Sequence, residues 1–268
     1  MSAAAPSAAA DVLARIGERR RQRLAEGAAA SPTLAAGPPR TAEDSAFLGA
    51  LAARRARGTP AVVAEVKMGS PRLGSLAGRV DPVRQARTYA LHGAAALSVV
   101  VEPDFFHGSY ELLAECRRAS GLPAIAKDFV VDPAQLVWAK EAGADAVLLI
   151  ASLHSADELA RYAGMARGLG LAPLVETHDR ADLAKLAGRP WELVGVNNRD
   201  LRTFAVDLER SIALLPHLPP GALRVAESGI DGRAAVDRLA AAGFDAFLVG
   251  ESLLLADDPA AKLAELAS

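Results

Sequence analysis

The chain has 268 residues, 30 Lys+Arg against 32 Asp+Glu, and a net charge of −2. Its length allows one large domain or two small ones. That charge gives no electrostatic pull toward nucleic acid or an anionic membrane. A hydrophobic fraction of 51% excludes disorder over most of the chain, while 4% aromatic residues leave Ala, Val and Leu to fill the core.

The first 27 residues read as a helix carrying the basic run RRRQR (19–23), expected to be a solvated face. No apolar segment reaches the roughly 18 residues needed to cross a bilayer, and the start lacks the apolar core of a secretory signal. Cys116 stands alone, which excludes an intramolecular disulfide and a cysteine zinc site. These features point to a cytoplasmic protein. Residues 28–41 (AAASPTLAAGPPRT) form an Ala/Pro/Gly connector, and residues 42–57 a second helix, so residues 1–57 are expected as a helical extension to a domain over 58–268.

From Pro60 onward short apolar runs alternate with longer amphipathic segments. The runs are 61–67, 95–102, 123–128, 145–151, 171–176, 192–198, 223–228 and 245–250. Each is nearly continuous in apolar residues, as a parallel sheet buried on both faces requires. The stretches between them, such as DPAQLVWAKEAG and DGRAAVDRLAAAG, open with Asp or Ser as caps and several close with Gly. Eight β-then-α units predict an α/β fold of the (β/α)8 TIM barrel type. The competing open doubly wound sheet lacks its GxGxxG turn after the first strand.

Barrel chemistry concentrates where strands end, and the polar residues there are few. They are Glu65 and Lys67, Glu102, Lys127 and Asp128, Glu176, Asn197 with Asn198 and Arg199, Glu227 and Ser228, and Gly250 with Glu251. Glu65 and Lys67 are two apart on one strand and leave the same face. With Lys127 and Glu176 they form a network of opposite charges, read either as an acid–base site or as a structural ion-pair layer. The turns AESGIDG and VGESLL suit a phosphate held by backbone N–H groups, or they are simply tight turns.

In order, AEVKMGSP, SVVVEPDFFHGS, AKDFVVDP, GADAVLLIA, LVETH, VNNRDLRTF, AESGI and VGESLL resemble the motif series of the indole-3-glycerol phosphate synthase family. The resemblance runs from about Pro60 to Leu254, and the N-terminal helices resemble that family's extension. It implies conversion of 1-(2-carboxyphenylamino)-1-deoxyribulose 5-phosphate to indole-3-glycerol phosphate, with loss of carbon dioxide and water and without cofactor or metal. It further implies Lys127 as general acid, Glu176 as base or its partner, and Lys67 gripping the carboxylate with support from Arg199. Glu65 and Asn197 would orient hydroxyls and charged intermediates, with Glu227 lining the same cavity and Ser70 at the substrate. Ser228, Gly229, Gly250 and Glu251 would hold the phosphate, the last through its N–H.

The first loop departs from the family's form: Met68 and Gly69 replace polar or basic residues, and Arg72 stands where serine is common. The alternatives kept open are a silent barrel that binds a phosphorylated ligand, and a phosphoribosylanthranilate-type isomerase, which needs a cysteine at a strand end. The five histidines show no metal-ligand spacing and read as surface or capping residues, with His178 noted for following Glu176. Partners are a phosphorylated small molecule and neither nucleic acid nor membrane, with the chain a monomer or weak homo-oligomer.

Overall fold

In a computed structural model, which describes residues 8–27, 34–41, 43–71, 73–200 and 205–268, eight parallel strands close into a barrel. They are β1 (Ala61–Val66), β2 (Ala96–Val100), β3 (Ala124–Lys127), β4 (Ala146–Ile150), β5 (Ala172–Thr177), β6 (Leu193–Asn197), β7 (Leu223–Glu227) and β8 (Ala246–Val249). Each pairs with the next, and β8 closes on β1 through Ala61↔Ala246 to Ala64↔Val249. All eight expected runs are strands, and the (β/α)8 barrel is the observed fold.

Alternation along each strand splits the apolar residues into two layers. Val62, Ala64, Leu97, Val99, Val147, Leu149 and Val194 face the surrounding helices. Ala61, Val63, Ile125, Leu148, Leu174, Leu193, Val225 and Leu248 fill the interior. The outer helices are held by the expected caps. Ser109 caps α4 (Tyr110–Ser120), which ends at Gly121 with φ 70°. Asp132 and Gln135 form a capping box on α5 (Pro133–Glu141), and Ser155 and Glu158 another on α6 (Ala156–Gly168). One cap differs. Gly232, rather than Asp231, precedes α9 (Arg233–Ala242), and Glu265 accepts the Arg233 N–H at 3.0 Å instead.

Two N-terminal helices close the two ends of the barrel. In α2 (Ala46–Ala56), Phe47, Leu48 and Leu51 join the interior cluster and seal the end where the strands begin. Helix α1 (Ala8–Glu26) lies over the opposite mouth, where Val12, Leu13 and Ile16 line a cavity. The expected solvated RRRQR face is corrected at Arg20, which is 3% exposed and ion-paired with Asp128; its Nε donates to Oδ1 at 3.0 Å. A guanidinium this deep needs such a partner, because burying it alone would cost several kcal/mol. Arg72 and residues 201–204 of VNNRDLRTF lie outside the described residues. No helix of the described residues is long and apolar enough to cross a membrane.

Candidate active site

The interior files of the strands run straight into the polar residues at their ends. Ala61 and Val63 continue to Glu65; Ile125 to Lys127; Leu174 to Glu176; Leu193 and Gly195 to Asn197; Val225 to Glu227; Leu248 to Gly250. A period of two therefore converts one apolar interior into one polar mouth without any change of backbone. A cavity of about 510 Å³ opens there. Glu65, Lys67, Ser70, Lys127, Glu176, Asn197, Arg199, Ser228, Gly229, Gly250 and Glu251 all line it.

The charges form a continuous chain. Lys67 Nζ donates to Glu65 Oε1 at 3.0 Å, and Lys127 Nζ lies 3.5 Å from Glu65 Oε2 and 3.2 Å from Glu227 Oε2. Burial opposes the charge on Glu65, but Lys67 and Lys127 outweigh it and hold its carboxyl below the usual range. Burial likewise disfavours the Lys127 ammonium, yet Glu227, Glu65 and Glu176 together raise its pKa, so it stays a firm cation.

Glu227 does not reach the cavity wall as expected. It is fully buried one layer below and meets the cavity through Lys127. The room for it comes from Gly195 on β6, where a Cβ would stand 2.1 Å from Glu227 Oε1. Gly250 makes the same allowance for Glu65, with a Cβ position 2.4 Å from Oε1. Burial, and then the neighbouring charge of Glu176, push the Glu227 carboxyl upward against the pull of Lys127. Two carboxyl groups in contact cannot both ionise cheaply.

The other strand-end acids have different work. The Glu102 carboxylate accepts the N–H groups of Asp104, Phe105 and Phe106 at 3.0, 2.7 and 3.0 Å, shaping the loop that brings Phe106 to the mouth. Asp128 takes Arg20, the Tyr110 hydroxyl at 2.7 Å and the Gln135 amide at 2.9 Å. Phe106 and Phe129, with ring centroids 5.9 Å apart, form an apolar wall together with Leu13 and Ile16 of α1.

Opposite that wall, β7 and β8 end in small residues. Ser228 and Gly229 both take left-handed backbone, φ 67° and 73°. Ser228 carries a cost of roughly 1 kcal/mol there, and the Asn198 amide holds its carbonyl at 2.9 Å. At Gly229 any Cβ would fall 2.0 Å from Val206 Cγ1. Gly250, Glu251 and Ser252 line the cavity where α10 (Glu251–Leu254) opens, and the opening N–H groups of a helix lack intrahelical acceptors. The Glu251 carboxylate turns to Arg199, 3.2 Å away.

In the first loop, Ser70 accepts the Leu73 N–H at 3.1 Å within a short hairpin of Gly69–Ser70 and Gly74–Ser75. Gly69 has a packing reason: a Cβ would meet His107 Cδ2 at 2.5 Å and the Gly74 carbonyl oxygen at 2.8 Å. Two histidines are buried, which corrects the surface placement expected of His154. His154 is buried with its ring centroid 5.0 Å from that of Tyr162. His178 is buried beside Glu176, its Nε2 3.2 Å from Oε1. Cys116 is packed in α4, away from every strand end, and burial pushes its thiol up to about 12. That leaves the isomerase alternative without its acid.

Comparisons with known proteins agree with this geometry. A family profile described as indole-3-glycerol phosphate synthase matches residues 13–266. An indole-3-glycerol phosphate synthase of Burkholderia vietnamiensis is 43% identical over 257 residues, covering 96% of this chain and 98% of that one. One from Burkholderia ambifaria is 42% identical over the same shares. Two solved structures share the fold alone. A 3-hexulose-6-phosphate synthase from Salmonella typhimurium has TM-score 0.62 at 13% identity, covering 77% of this chain and 96% of that one. A thiamine phosphate pyrophosphorylase from Pyrococcus furiosus has TM-score 0.57 at 16% identity, covering 77% and 93%. A profile matched over nearly the whole chain, with relatives above 40% identity along their full length, makes this chain a member of the indole-3-glycerol phosphate synthase family.

Proposed function

We propose that the charged mouth carries out the family reaction, closing the indole ring of 1-(2-carboxyphenylamino)-1-deoxyribulose 5-phosphate, with the following division of labour. The phosphate sits on the backbone of Ser228, Gly229, Gly250 and Glu251, and the aromatic ring lies on the wall of Phe106, Phe129, Leu13 and Ile16. The substrate then spans the mouth, with its ketone in the middle, over Lys127.

The ring carbon that bears the carboxylate attacks the sugar carbonyl carbon. A carbon–carbon bond forms, and the carbonyl oxygen takes a proton from Lys127. Lys67, backed by Arg199, holds the carboxylate until the bond to it breaks and its electrons return to the ring, releasing carbon dioxide. The new hydroxyl leaves as water on taking a second proton from the Lys67–Lys127 pair of ammonium groups, which solvent reprotonates, while Glu176 takes a proton from the adjacent sugar carbon. Glu65 keeps Lys67 and Lys127 in place, Asn197 orients hydroxyls, Ser70 contacts the substrate from the first loop, and Glu227 fixes Lys127 from below.

We read residues 1–57 as an extension of the catalytic barrel of residues 58–268, and the chain as a cytoplasmic monomer or weak homo-oligomer. Its lone thiol, buried and unreactive, suits a reducing compartment.

The observation that carries this reading is the unbroken contact chain Lys67–Glu65–Lys127–Glu227 at 3.0, 3.5 and 3.2 Å, which runs along one cavity and ends on Glu227 beneath it. Incubating the purified protein with the carboxyphenylamino ribulose phosphate and following indole fluorescence tests it. Turnover with release of carbon dioxide is expected. Tight binding without product would instead favour a silent, ligand-binding barrel.

A further inference from the structure

Three buried carboxylates, Glu65, Glu176 and Glu227, belong to the barrel strands themselves, and the residue two positions further along the chain from each differs in a telling way. After Glu65 comes Lys67, 3.0 Å from it. After Glu176 comes His178, with Nε2 3.2 Å from Oε1. After Glu227 comes Gly229, which carries no charge. Glu227 has Lys127 at 3.2 Å on Oε2, while its Oε1 faces the Gly195 backbone.

His178 is itself held. Its Nδ1 lies 3.4 Å from Ser152 Oγ, on the turn Ala151–Leu153 after β4, and 3.6 Å from Asp182 Oδ2, on α7 (Arg180–Ala184). The Asp182 carboxylate also accepts the His178 backbone N–H at 3.1 Å, the Ser152 hydroxyl at 2.6 Å and Lys185 Nζ at 3.1 Å. An imidazole between two carboxylates, 8% exposed, has an anion facing each ring nitrogen. The charged groups around it are Glu176 and Asp182 directly, Lys185 beyond Asp182, and Lys127 and Glu227 beyond Glu176.

We propose that His178 is a positioning residue: set between Glu176 and Asp182, it keeps Glu176 as the anion of the Glu176–Glu227 pair and leaves that pair's proton on Glu227. The inference rests on the assignment of Glu176 to the proton chemistry of the mouth, and adds what fixes its protonation. Burial opposes charge on His178, but its contacts with Asp182 and Glu176 outweigh it and raise its pKa to about 10. A base is competent only when unprotonated. Without the imidazolium, Glu176 would lose the cation in contact with it, while Glu227 would keep Lys127 at 3.2 Å, so the pair's proton would be drawn toward Glu176.

The test is the pH profile of kcat and kcat/KM for His178→Asn, which keeps a donor near Glu176 and removes the charge. The acid limb is expected to move up by about one pH unit or more, with KM changed far less than kcat. An unmoved limb, whether kcat is wild-type or uniformly lower, overturns the proposal. Nitrogen-15 NMR of histidine-labelled wild-type protein gives a reading that needs no variant. One of the five imidazoles should remain doubly protonated at about pH 8.5, two units above the ordinary value; if all have deprotonated by then, the proposal fails. Glu176→Gln separates the two levels. Loss of kcat there with an unmoved limb in His178→Asn sinks only the role of His178, whereas wild-type kcat in Glu176→Gln sinks the assignment beneath it.

Discussion

Gly195 shows how a residue with no side chain can set the geometry of one that has chemistry. A methyl group there would come within 2.1 Å of Glu227 Oε1, which is buried and tied to Lys127. Gly195→Ala must therefore displace Glu227, and Lys127 with it. The expected stability loss is about 1–3 kcal/mol, with kcat falling by about 10²-fold because a shift near 1 Å misaligns the acid. Thermal melts beside steady-state kinetics check this, and wild-type kcat would contradict it. His178 makes a prediction about stability. Its folded pKa of about 10 exceeds the ordinary value of about 6.5, so it binds its proton more tightly when folded. The stabilisation is complete below about pH 6.5 and is lost as pH rises toward about 10. Urea melts across that window should show a decline that His178→Asn flattens. Asp182, held down to about 2 despite its burial by His178, Ser152 and Lys185, acts oppositely, losing its contribution as pH falls below the ordinary carboxylate range.

Among the elements, α1 joins the N-terminal extension to catalysis. It supplies Val12, Leu13 and Ile16 to the cavity and is pinned by Arg20 to Asp128, the neighbour of Lys127. Arg20→Met leaves Asp128 with only its Tyr110, Gln135 and Phe129 partners, and breaking a buried pair costs about 3–5 kcal/mol. If α1 serves as a wall for the aromatic ring, KM should rise several-fold with kcat less affected; an unchanged KM would contradict that role. This contact was not legible in the sequence. The run RRRQR has the composition of a solvated face, and which arginine turns inward depends on where the helix docks. The strands were legible to within a residue or two because burial on both faces leaves continuous apolar runs. The short hairpin at 69–75 was not, since two-residue strands carry no periodicity. His178 was noticed for its position, but its burial depends on Ser152 and Asp182 from two separate elements.

At the scale of the whole molecule, the barrel brings Glu65, Lys127, Glu176 and Glu227 together across more than 160 residues of chain. The motif order carried that convergence, because eight parallel strands in sequence order leave one mouth at which all strands end. What the order could not carry was depth: Glu227 lies beneath the cavity rather than on its wall, a placement decided by the missing side chain of Gly195 on a neighbouring strand. The central claim is that Lys127, kept charged by Glu65 and Glu176 and held in place by Glu227, supplies the proton for ring closure. Single-turnover and steady-state measurement of indole formation by Lys127→Ala, checked for folding by circular dichroism, tests it most directly. The account predicts kcat lower by roughly 10²–10⁴-fold with KM little changed. A loss confined to KM, or wild-type kcat, would contradict it.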